Sequence, residues 1–202
     1  MRTLSLFALI IAAGCTKSST LEKQLESEVI ALQYTVRSLE SMAKTCTGDG
    51  PGDRLYTELN QVFKGSEVEV DKRGRITILT MPVTYLFSER RLDVRDEARM
   101  GLDLLATALN LNPKHTLRLE GHAADGPVPS NAPGHADDNW MYTFVQAHAL
   151  LDILVDEFDV AENRFTLISR NSYQPISDND TESGKTKNRR IVVYIYPPGM
   201  NP

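Results

Sequence analysis

The sequence predicts an α/β (α+β) sandwich with a mixed sheet, preceded by a helical stalk. Two amphipathic helical segments, 94–109 and 140–158, alternate with short apolar strands in the order β-α-β-α-β-β. A hairpin pattern precedes them, and the apolar segment 190–196 (RIVVYIY) is the last strand. Helices that alternate with strands pack on the faces of a sheet, and parallel strands joined through a helix cross over right-handed. The globular domain is therefore expected at 53–202.

The first residues have the pattern of a bacterial secretion signal. A minimal basic start, Met1-Arg2, precedes the apolar run 4–13, which is about half as long as a membrane-spanning helix. The run leads into IAAGC at 11–15, which resembles a lipoprotein cleavage site. We expect 1–14 to be the signal peptide and Cys15 to carry a multi-chain lipid anchor. The alternative is an ordinary secretory signal with an incidental cysteine.

The two cysteines fit an exported protein. Once Cys15 is acylated no intrachain disulfide is possible, and Cys46 stays unpaired in an oxidising compartment. The residue after Cys15 is Thr16 rather than Asp, and by the sorting rule of enterobacterial lipoproteins this favours the outer membrane. We therefore expect a lipid-anchored protein on the periplasmic face of the outer membrane.

Residues 15–46 are expected to form the lipidated tether and a helical stalk. Apolar residues recur at alternating spacings of four and three from Leu25 to Cys46, which is a heptad seam. This seam favours a parallel coiled-coil homo-oligomer, or else a single amphipathic helix that packs on its own domain. In the oligomer, Cys46 of one copy faces Cys46 of the next. Gly and Pro in the linker 47–52 (TGDGPG) then end the helix.

Hydrophobic periodicity indicates the elements of 53–202. Strands alternate apolar and polar residues or are short apolar runs, and helices carry apolar residues three and four apart. Pro82 makes 81–87 part loop or edge strand, and Asn112-Pro113 ends the second helix. In chain order the expected elements are helix 53–63, hairpin strands 67–70 and 75–79, helix 94–109, strand 115–120, helix 140–158, strand 164–168, a polar loop 171–187 and strand 190–196.

The longest helix, 140–158, has two distinct faces. Large apolar residues at helical spacing predict the buried stripe. This stripe comprises Trp140, Phe144, Ala147, Leu151, Leu154 and Phe158. Asn139, Tyr142 and Gln146 share a second face, which is expected to turn towards the preceding loop.

Composition and motifs argue against several classes of function. The formal net charge is −5, and no Lys/Arg cluster is interleaved with aromatic residues, so nucleic acid is not an expected partner. His122, His135, Asp137 and Asp138 lack a recognised ligand spacing, and neither a metal nor another cofactor is expected. The SGKT segment 183–186 lacks the glycine that a phosphate-binding loop requires, and no nucleophile motif is present. These features predict a domain that is not an enzyme.

The segment 121–151 carries the most distinctive motifs. A Gly-His pair at 121–122 follows a strand, a loop rich in Pro, Gly and Asp comes next, and a helix opens at 139. A strand end, a loop and a helix N-terminus together suit a small polar ligand.

These motifs resemble those of the OmpA-like peptidoglycan-binding domain, most closely its MotB-like branch. That family has GHTD, a variable loop and then NWxLSxxRA, with NRRV before the closing strand. Residues 75–87 resemble its first strand, and NRRI at 188–191 resembles its NRRV signature. The matching residues of the central segment are Gly121, His122, Asn139, Trp140 and Ala147.

The resemblance implies a site for the diaminopimelate, or a similar diamino acid, of the peptidoglycan stem peptide. In the family, the Asp of GHTD binds the ammonium of this ligand and the helix Arg binds its carboxylate as a bidentate fork. The Asp position is Ala124 in this sequence, with Asp125 one residue later, and the Arg position is Gln146.

Two interpretations remain open for Asp125 and two for the polar face of the helix. Asp125 reaches the ligand through a one-residue bulge, or it begins a solvated turn. The helix face of Asn139, Tyr142 and Gln146 lines the site, or it is a polar solvent face. Alternation in a strand lets only one arginine of the NRR motif face the ligand. The predicted peptidoglycan-binding residues are Asp125, Asn139, Tyr142, Gln146 and Arg190.

Together these features predict an outer-membrane-anchored lipoprotein that binds peptidoglycan non-covalently through the stem-peptide diamino acid and tethers the envelope to the wall. The alternative is a degenerate OmpA-like domain that acts as a structural or protein-interaction module without wall binding, because residues 124 and 146 lack the charged pair. The expected partners are peptidoglycan, the membrane through Cys15, and a second copy through the stalk.

Overall fold

The computed structural model describes residues 51–88, 92–128, 132, 136 and 138–202, together with Val29, Leu32 and Val36. The chain divides into two compact units, Met1–Gly48 and Asp49–Pro202. In the first unit, Val29, Leu32 and Val36 are helical and exposed. The signal peptide, the lipidated Cys15, most of the stalk and Cys46 lie outside the described residues, so their assignments stay predictions.

The second unit contains five strands and five α-helices within the described ranges. A π-helical turn, Ile153–Glu157, follows the fourth helix, and a 3-10 turn, Glu162–Arg164, precedes the fourth strand. The elements are α1 (Pro51–Val62), β1 (Glu69–Arg73), β2 (Ile76–Pro82), α2 (Val83–Leu86), α3 (Asp96–Leu111), β3 (Thr116–His122), α4 (Asn139–Asp152), β4 (Phe165–Ser169), α5 (Glu182–Asn188) and β5 (Arg190–Tyr196).

The five strands form one mixed sheet in the order β1-β2-β5-β3-β4. Strand β5 lies antiparallel between β2 and β3, whereas β3 and β4 are parallel neighbours joined through α4. The register places His122 of β3 opposite Arg190 of β5. This arrangement confirms the predicted α/β class with a mixed sheet, and it brings the Gly-His and NRR motifs to the same end of adjacent strands.

Helix α4 lies directly against β3 because Gly121 has no side chain. A Cβ atom at this position would lie 2.1 Å from the backbone oxygen of Thr143. Strand alternation places Leu117 and Leu119 on the same face as Gly121, and both are fully buried. Arg118, Glu120 and His122 therefore lie on the opposite face of the sheet.

The predicted buried stripe of α4 is wrong at its first two members. Trp140 and Phe144 are 47% and 40% exposed. The contact between Gly121 and the Thr143 backbone rotates the helix so that smaller side chains face the sheet. The buried residues of α4 are Thr143, Gln146, Ala147, Leu150 and Leu151.

The predicted polar loop 171–187 is wrong in its second half, which is the helix α5. Thr181 caps this helix by accepting a hydrogen bond from the backbone N–H of Gly184 at 3.0 Å. Gly184 also packs so closely that a Cβ atom would lie 1.8 Å from the carbonyl oxygen of Asp178. The sequence TESGKTKN has no apolar periodicity, so only capping and close packing mark this helix.

No helix in the described ranges is both long and apolar enough to cross a membrane.

Candidate functional site

The candidate site lies where β3 and β5 meet the N-terminus of α4. Glu120, on β3, is 1% exposed and is surrounded by cationic groups. Its Oε1 lies 2.8 Å from Arg170 Nη2 and 2.9 Å from Arg118 Nε. Burial alone raises the pKa of this carboxyl, but contacts with His122 and Arg170 and the charges of Arg118 and Arg170 lower it to about 2. Glu120 is therefore a buried anion at neutral pH.

His122 joins this anion to the NRR motif. Its Nδ1 lies 3.2 Å from Arg190 Nη2 and its Nε2 lies 3.5 Å from Glu120 Oε2. A guanidinium can only donate, so Nδ1 accepts and the imidazole proton is on Nε2, facing the carboxylate. Burial lowers the pKa of His122, so the ring is neutral at neutral pH.

Arg190 is 4% exposed and is committed to the protein. Besides His122, its guanidinium donates to the carbonyl oxygens of Asn188 at 3.1 Å and Gln174 at 3.0 Å. Arg190 therefore braces the end of the sheet and the loop that follows β4. Its predicted contact with a ligand stays a prediction.

Arg189 has a different environment. It is only half-buried, and no hydrogen bond or ion pair in the described ranges engages its guanidinium. Its charge reaches Tyr142 and Glu182 and lowers the pKa of each. Of the two arginines in the motif, Arg189 is the one with an uncommitted cation near α4.

The loop after β3 is held by amide side chains. Asn139 Nδ2 donates to the Gly126 oxygen at 2.9 Å, and the Asp125 backbone N–H donates to Asn179 Oδ1 at 3.1 Å. Asp125 Oδ1 accepts from the Gly126 N–H at 3.0 Å, as in a turn, and the Asp125 side chain is exposed. The structure thus has the turn at Asp125, and its carboxylate is open to solvent.

Tyr142 and Gln146 form the part of the site on α4. Gln146 is 2% exposed, so the face shared with Asn139 and Tyr142 is not a solvent face along its whole length. Burial raises the pKa of Tyr142, and the Arg189 charge and a hydrogen bond with Gln146 oppose that shift. Arg189 is thus within electrostatic reach of Tyr142, which interacts with Gln146 one turn later on α4.

Two supporting groups were not predicted from the sequence. Thr143 Oγ1 lies 2.6 Å from Ser169 Oγ and fixes α4 to the end of β4. Asn188, which is fully buried, accepts from the N–H groups of Ile176 and Ser177 and donates to Asn179 Oδ1 at 2.8 Å. The alternation of Arg118, Glu120 and His122 in β3 was the sequence signal for the buried cluster.

Solved structures with the same fold come from bacterial proteins. The cell wall anchor of the T6SS from Pseudomonas aeruginosa is 25% identical, with a TM-score of 0.60, and the match covers 69% of this chain and 96% of that one. A putative MotB like protein from Desulfovibrio vulgaris is 18% identical, with a TM-score of 0.63 and coverage of 74% and 93%. The periplasmic domain of Helicobacter pylori MotB is 18% identical, with a TM-score of 0.57 and coverage of 66% and 82%.

Curated relatives match at lower coverage. Motility protein B of Bacillus subtilis is 20% identical over 151 residues, which is 73% of this chain and 57% of the relative. Outer membrane protein Omp38 of Acinetobacter baumannii is 27% identical over 117 residues, 58% of this chain and 31% of the relative. The probable lipoprotein YiaD of Escherichia coli is 24% identical over 153 residues, covering 74% and 66%. No protein-family model matches the chain.

Proposed function

Because this chain carries the fold of the OmpA-like and MotB periplasmic domains, we propose that it binds peptidoglycan non-covalently through the diamino acid of the stem peptide. The observation that carries the proposal is the bracing of the strand–loop–helix segment. Gly121 lets α4 lie on β3, and Arg190 locks the His122 ring. This bracing presents polar groups of the loop and of α4 at one end of the sheet.

Arg189 supplies the cation for the ligand carboxylate. The family places an arginine at the position of Gln146, which is neutral and buried in this protein. Arg189 is half-exposed and lies within electrostatic reach of Tyr142, and among the described residues only its backbone, not its guanidinium, makes hydrogen bonds. A guanidinium with free donors matches a carboxylate in a bidentate fork. In this proposal the Tyr142 hydroxyl adds a hydrogen bond to the same ligand.

Asp125 supplies the anion for the ligand ammonium. Ala124, at the family's Asp position, is buried and has no charge. The turn uses only Oδ1 of Asp125, and Asn139 holds the neighbouring Gly126 carbonyl in place. The second carboxylate oxygen has no partner among the described residues, so it is available to an ammonium.

Lipidation at Cys15 anchors the protein in the outer membrane on its periplasmic face, and the stalk carries the domain to the wall. One relative is named as a probable lipoprotein and another as an outer membrane protein. Two or more acyl chains hold a protein stably in a bilayer, whereas one chain does so only marginally. In fractionated envelopes, Cys15→Ser is expected to move the protein from the membrane pellet to the soluble fraction.

Binding to purified sacculi tests the proposal. We expect the wild-type chain to co-sediment with sacculi, and Arg189→Ala and Asp125→Ala each to weaken binding by about ten- to a hundredfold. This is the range for loss of a charge-assisted hydrogen bond, about 1.5–3 kcal/mol. Arg189→Lys is expected to retain part of the affinity, because it keeps the charge and loses the fork.

Lys114→Ala is the matched control for this experiment. Lys114 is exposed and precedes β3, so it lies at the strand end opposite His122. Its removal changes the net charge as Arg189→Ala does, and binding is expected to persist. If the wild-type protein stays in the supernatant, the proposal of wall binding is wrong.

A second candidate function is a structural or protein-interaction module that has lost the wall ligand. The observation that favours it is the pair Ala124 and Gln146, both buried and uncharged where the family carries Asp and Arg. This alternative predicts that wild type does not bind sacculi, whereas the double change Ala124→Asp with Gln146→Arg binds. Under the wall-binding proposal, wild type already binds and the double change alters affinity far less.

A further inference from the structure

Two exposed aromatic side chains form a pair beside the candidate site. Trp140, the second residue of α4, is 47% exposed, and Tyr173, in the loop after β4, is 73% exposed. Their ring centroids are 5.7 Å apart, and the ring planes are tilted by 46°. Neither ring belongs to the core, so hydrophobic packing of the domain does not account for the pair.

The backbone on both sides of this aromatic pair is held in place. Thr143 fixes the first turn of α4 by its hydrogen bonds to the Asn139 carbonyl at 2.8 Å and to Ser169. The loop that carries Tyr173 is held by the bond from Arg190 to the Gln174 carbonyl. The pair is therefore a preorganised apolar surface, and a ligand that uses it loses little conformational entropy of the protein.

The pair has the chemistry of a sugar-stacking surface. Each ring has an apolar face with a polar edge, the indole N–H or the phenol O–H. A pyranose ring likewise has a face of C–H groups and a rim of hydroxyls. Asp138 Oδ1 accepts from the Met141 N–H and Asn139 Nδ2 donates to the Gly126 oxygen, so the groups left for such a rim are their other side-chain oxygens and the exposed Gln174 side chain. No cation in the described ranges covers either ring.

We propose that Trp140 and Tyr173 bind the glycan strand of peptidoglycan by stacking against its N-acetylhexosamine rings. This inference rests on the proposed wall binding and extends it from the stem peptide to the sugar chain. Trp140 directly follows Asn139, whose side chain holds the Gly126 carbonyl next to Asp125, and in this proposal one wall fragment contacts both surfaces. Two weak contacts linked in one ligand then act together.

The competing interpretation is that the exposed aromatic residues of α4 bind a protein partner. Phe144 lies one turn after Trp140 on the same side of α4, is 40% exposed and contacts the His148 ring. A protein partner would use Trp140 and Phe144 together, whereas a sugar at the aromatic pair uses Trp140 and Tyr173. Phe144→Ala therefore separates the two uses.

The sole tryptophan of the chain gives a direct readout. Titration of the purified full chain with chitotetraose, a β-1,4-linked N-acetylglucosamine tetramer without stem peptide, is expected to change Trp140 fluorescence in a saturable way. Tyr173→Ala is expected to raise the Kd by roughly three- to tenfold, as for loss of one aromatic contact. Phe144→Ala is expected to leave the Kd unchanged. Tyr173 is so exposed that its replacement leaves the fold intact, which circular dichroism checks.

Separate binding of a free stem peptide, measured by calorimetry, distinguishes failure of this inference from failure of the proposed function. If the protein binds the stem peptide and sacculi but does not respond to chitotetraose, the stacking proposal is wrong and the wall-binding proposal stands. A Phe144→Ala effect on the chitotetraose Kd equal to that of Tyr173→Ala also overturns it, because the sugar then does not bind specifically at the Trp140–Tyr173 pair. Chitotetraose binding without stem-peptide binding supports the stacking surface and removes the stem-peptide site.

Discussion

Gly121→Ala is expected to destabilise the domain by at least about 3 kcal/mol and to abolish the proposed wall binding. The new Cβ atom would lie 2.1 Å from the backbone oxygen and 2.8 Å from the carbonyl carbon of Thr143. A backbone atom cannot move to another rotamer, so α4 must shift as a unit away from β3. Such overpacking costs about 1–3 kcal/mol in ordinary cases and more where the backbone must move. The shift also displaces Asn139 and Tyr142 at the site.

Urea unfolding, with Gly101→Ala as the matched control, measures this effect. The nearest neighbours of a Cβ at Gly101 are side-chain atoms, Phe63 Cε1 at 2.8 Å and Tyr85 Oη at 2.9 Å, rather than backbone atoms. Alanine also favours the middle of α3 by about 1 kcal/mol over glycine, which offsets part of the cost of moving these side chains, so this variant is expected to lose much less stability than Gly121→Ala. If Thr143→Ala restores the stability of Gly121→Ala, the obstruction is a side chain and the explanation is wrong.

Glu120→Gln is expected to lower the free energy of unfolding by about 3 kcal/mol at neutral pH. Glutamine keeps the size of the side chain but removes the only carboxylate that faces Arg118 and Arg170 in the described part of the sheet. The NH₂ group of glutamine is also a hydrogen-bond donor, and the guanidinium groups that face it can only donate. Two partly buried guanidinium groups are then left without their counter-charge, and the neutral His122 loses its anionic neighbour.

The same carboxylate predicts how stability depends on pH. The pKa of Glu120 falls from an ordinary 4.5 to about 2 on folding, so its stabilisation is complete above pH 4.5 and is lost as the pH falls through 2. The lowered pKa of His122 means that the unfolded chain takes up its proton first, so stability begins to fall below pH 6.5. In Glu120→Gln the steep loss between pH 4.5 and 2 is expected to be shallower.

Denaturation of wild type and variant at pH 7, 5 and 3 checks both expectations. Glu97→Gln is the control, because Glu97 pairs with Arg95 at an exposed position and such pairs contribute little. Equal stability of Glu120→Gln and wild type at pH 7 would show that solvent already screens the cluster.

Much of the fold was predictable from local patterns. The segments around 76–82, 116–122 and 190–196 alternate or run apolar, and each is a strand of the sheet. The resemblance to OmpA-like and MotB-like domains, carried by the Gly-His, Asn-Trp and NRR motifs, is confirmed by the solved structures of the same fold. Hydrophobic periodicity and turn residues depend only on residues close together in the chain, so a single sequence is enough to predict the elements that they specify.

The candidate site was predictable only in part. Its location at Gly121, His122 and the N-terminus of α4 followed from the motifs. The register of β3 with β5 places Arg190 beside His122. The burial of Gln146 and the engagement of Arg190 were not readable, because each depends on contacts between elements far apart in the chain. The ligand roles of Asp125, Asn139, Tyr142, Gln146 and Arg190 stay predictions.

The sequence by itself determined the α/β class, the order of its elements and the segment proposed as the candidate site. Only the tertiary structure decided which face of α4 is buried and which arginine stays free. Apolar spacing favoured Trp140 and Phe144 as core residues, since hydrophobicity is a property of each side chain alone. The close approach of the Thr143 backbone to Gly121 turned the helix and left both rings in solvent. The spacing of apolar residues along the chain does not indicate how closely the backbones of α4 and β3 approach each other, so only the tertiary structure reveals this distance.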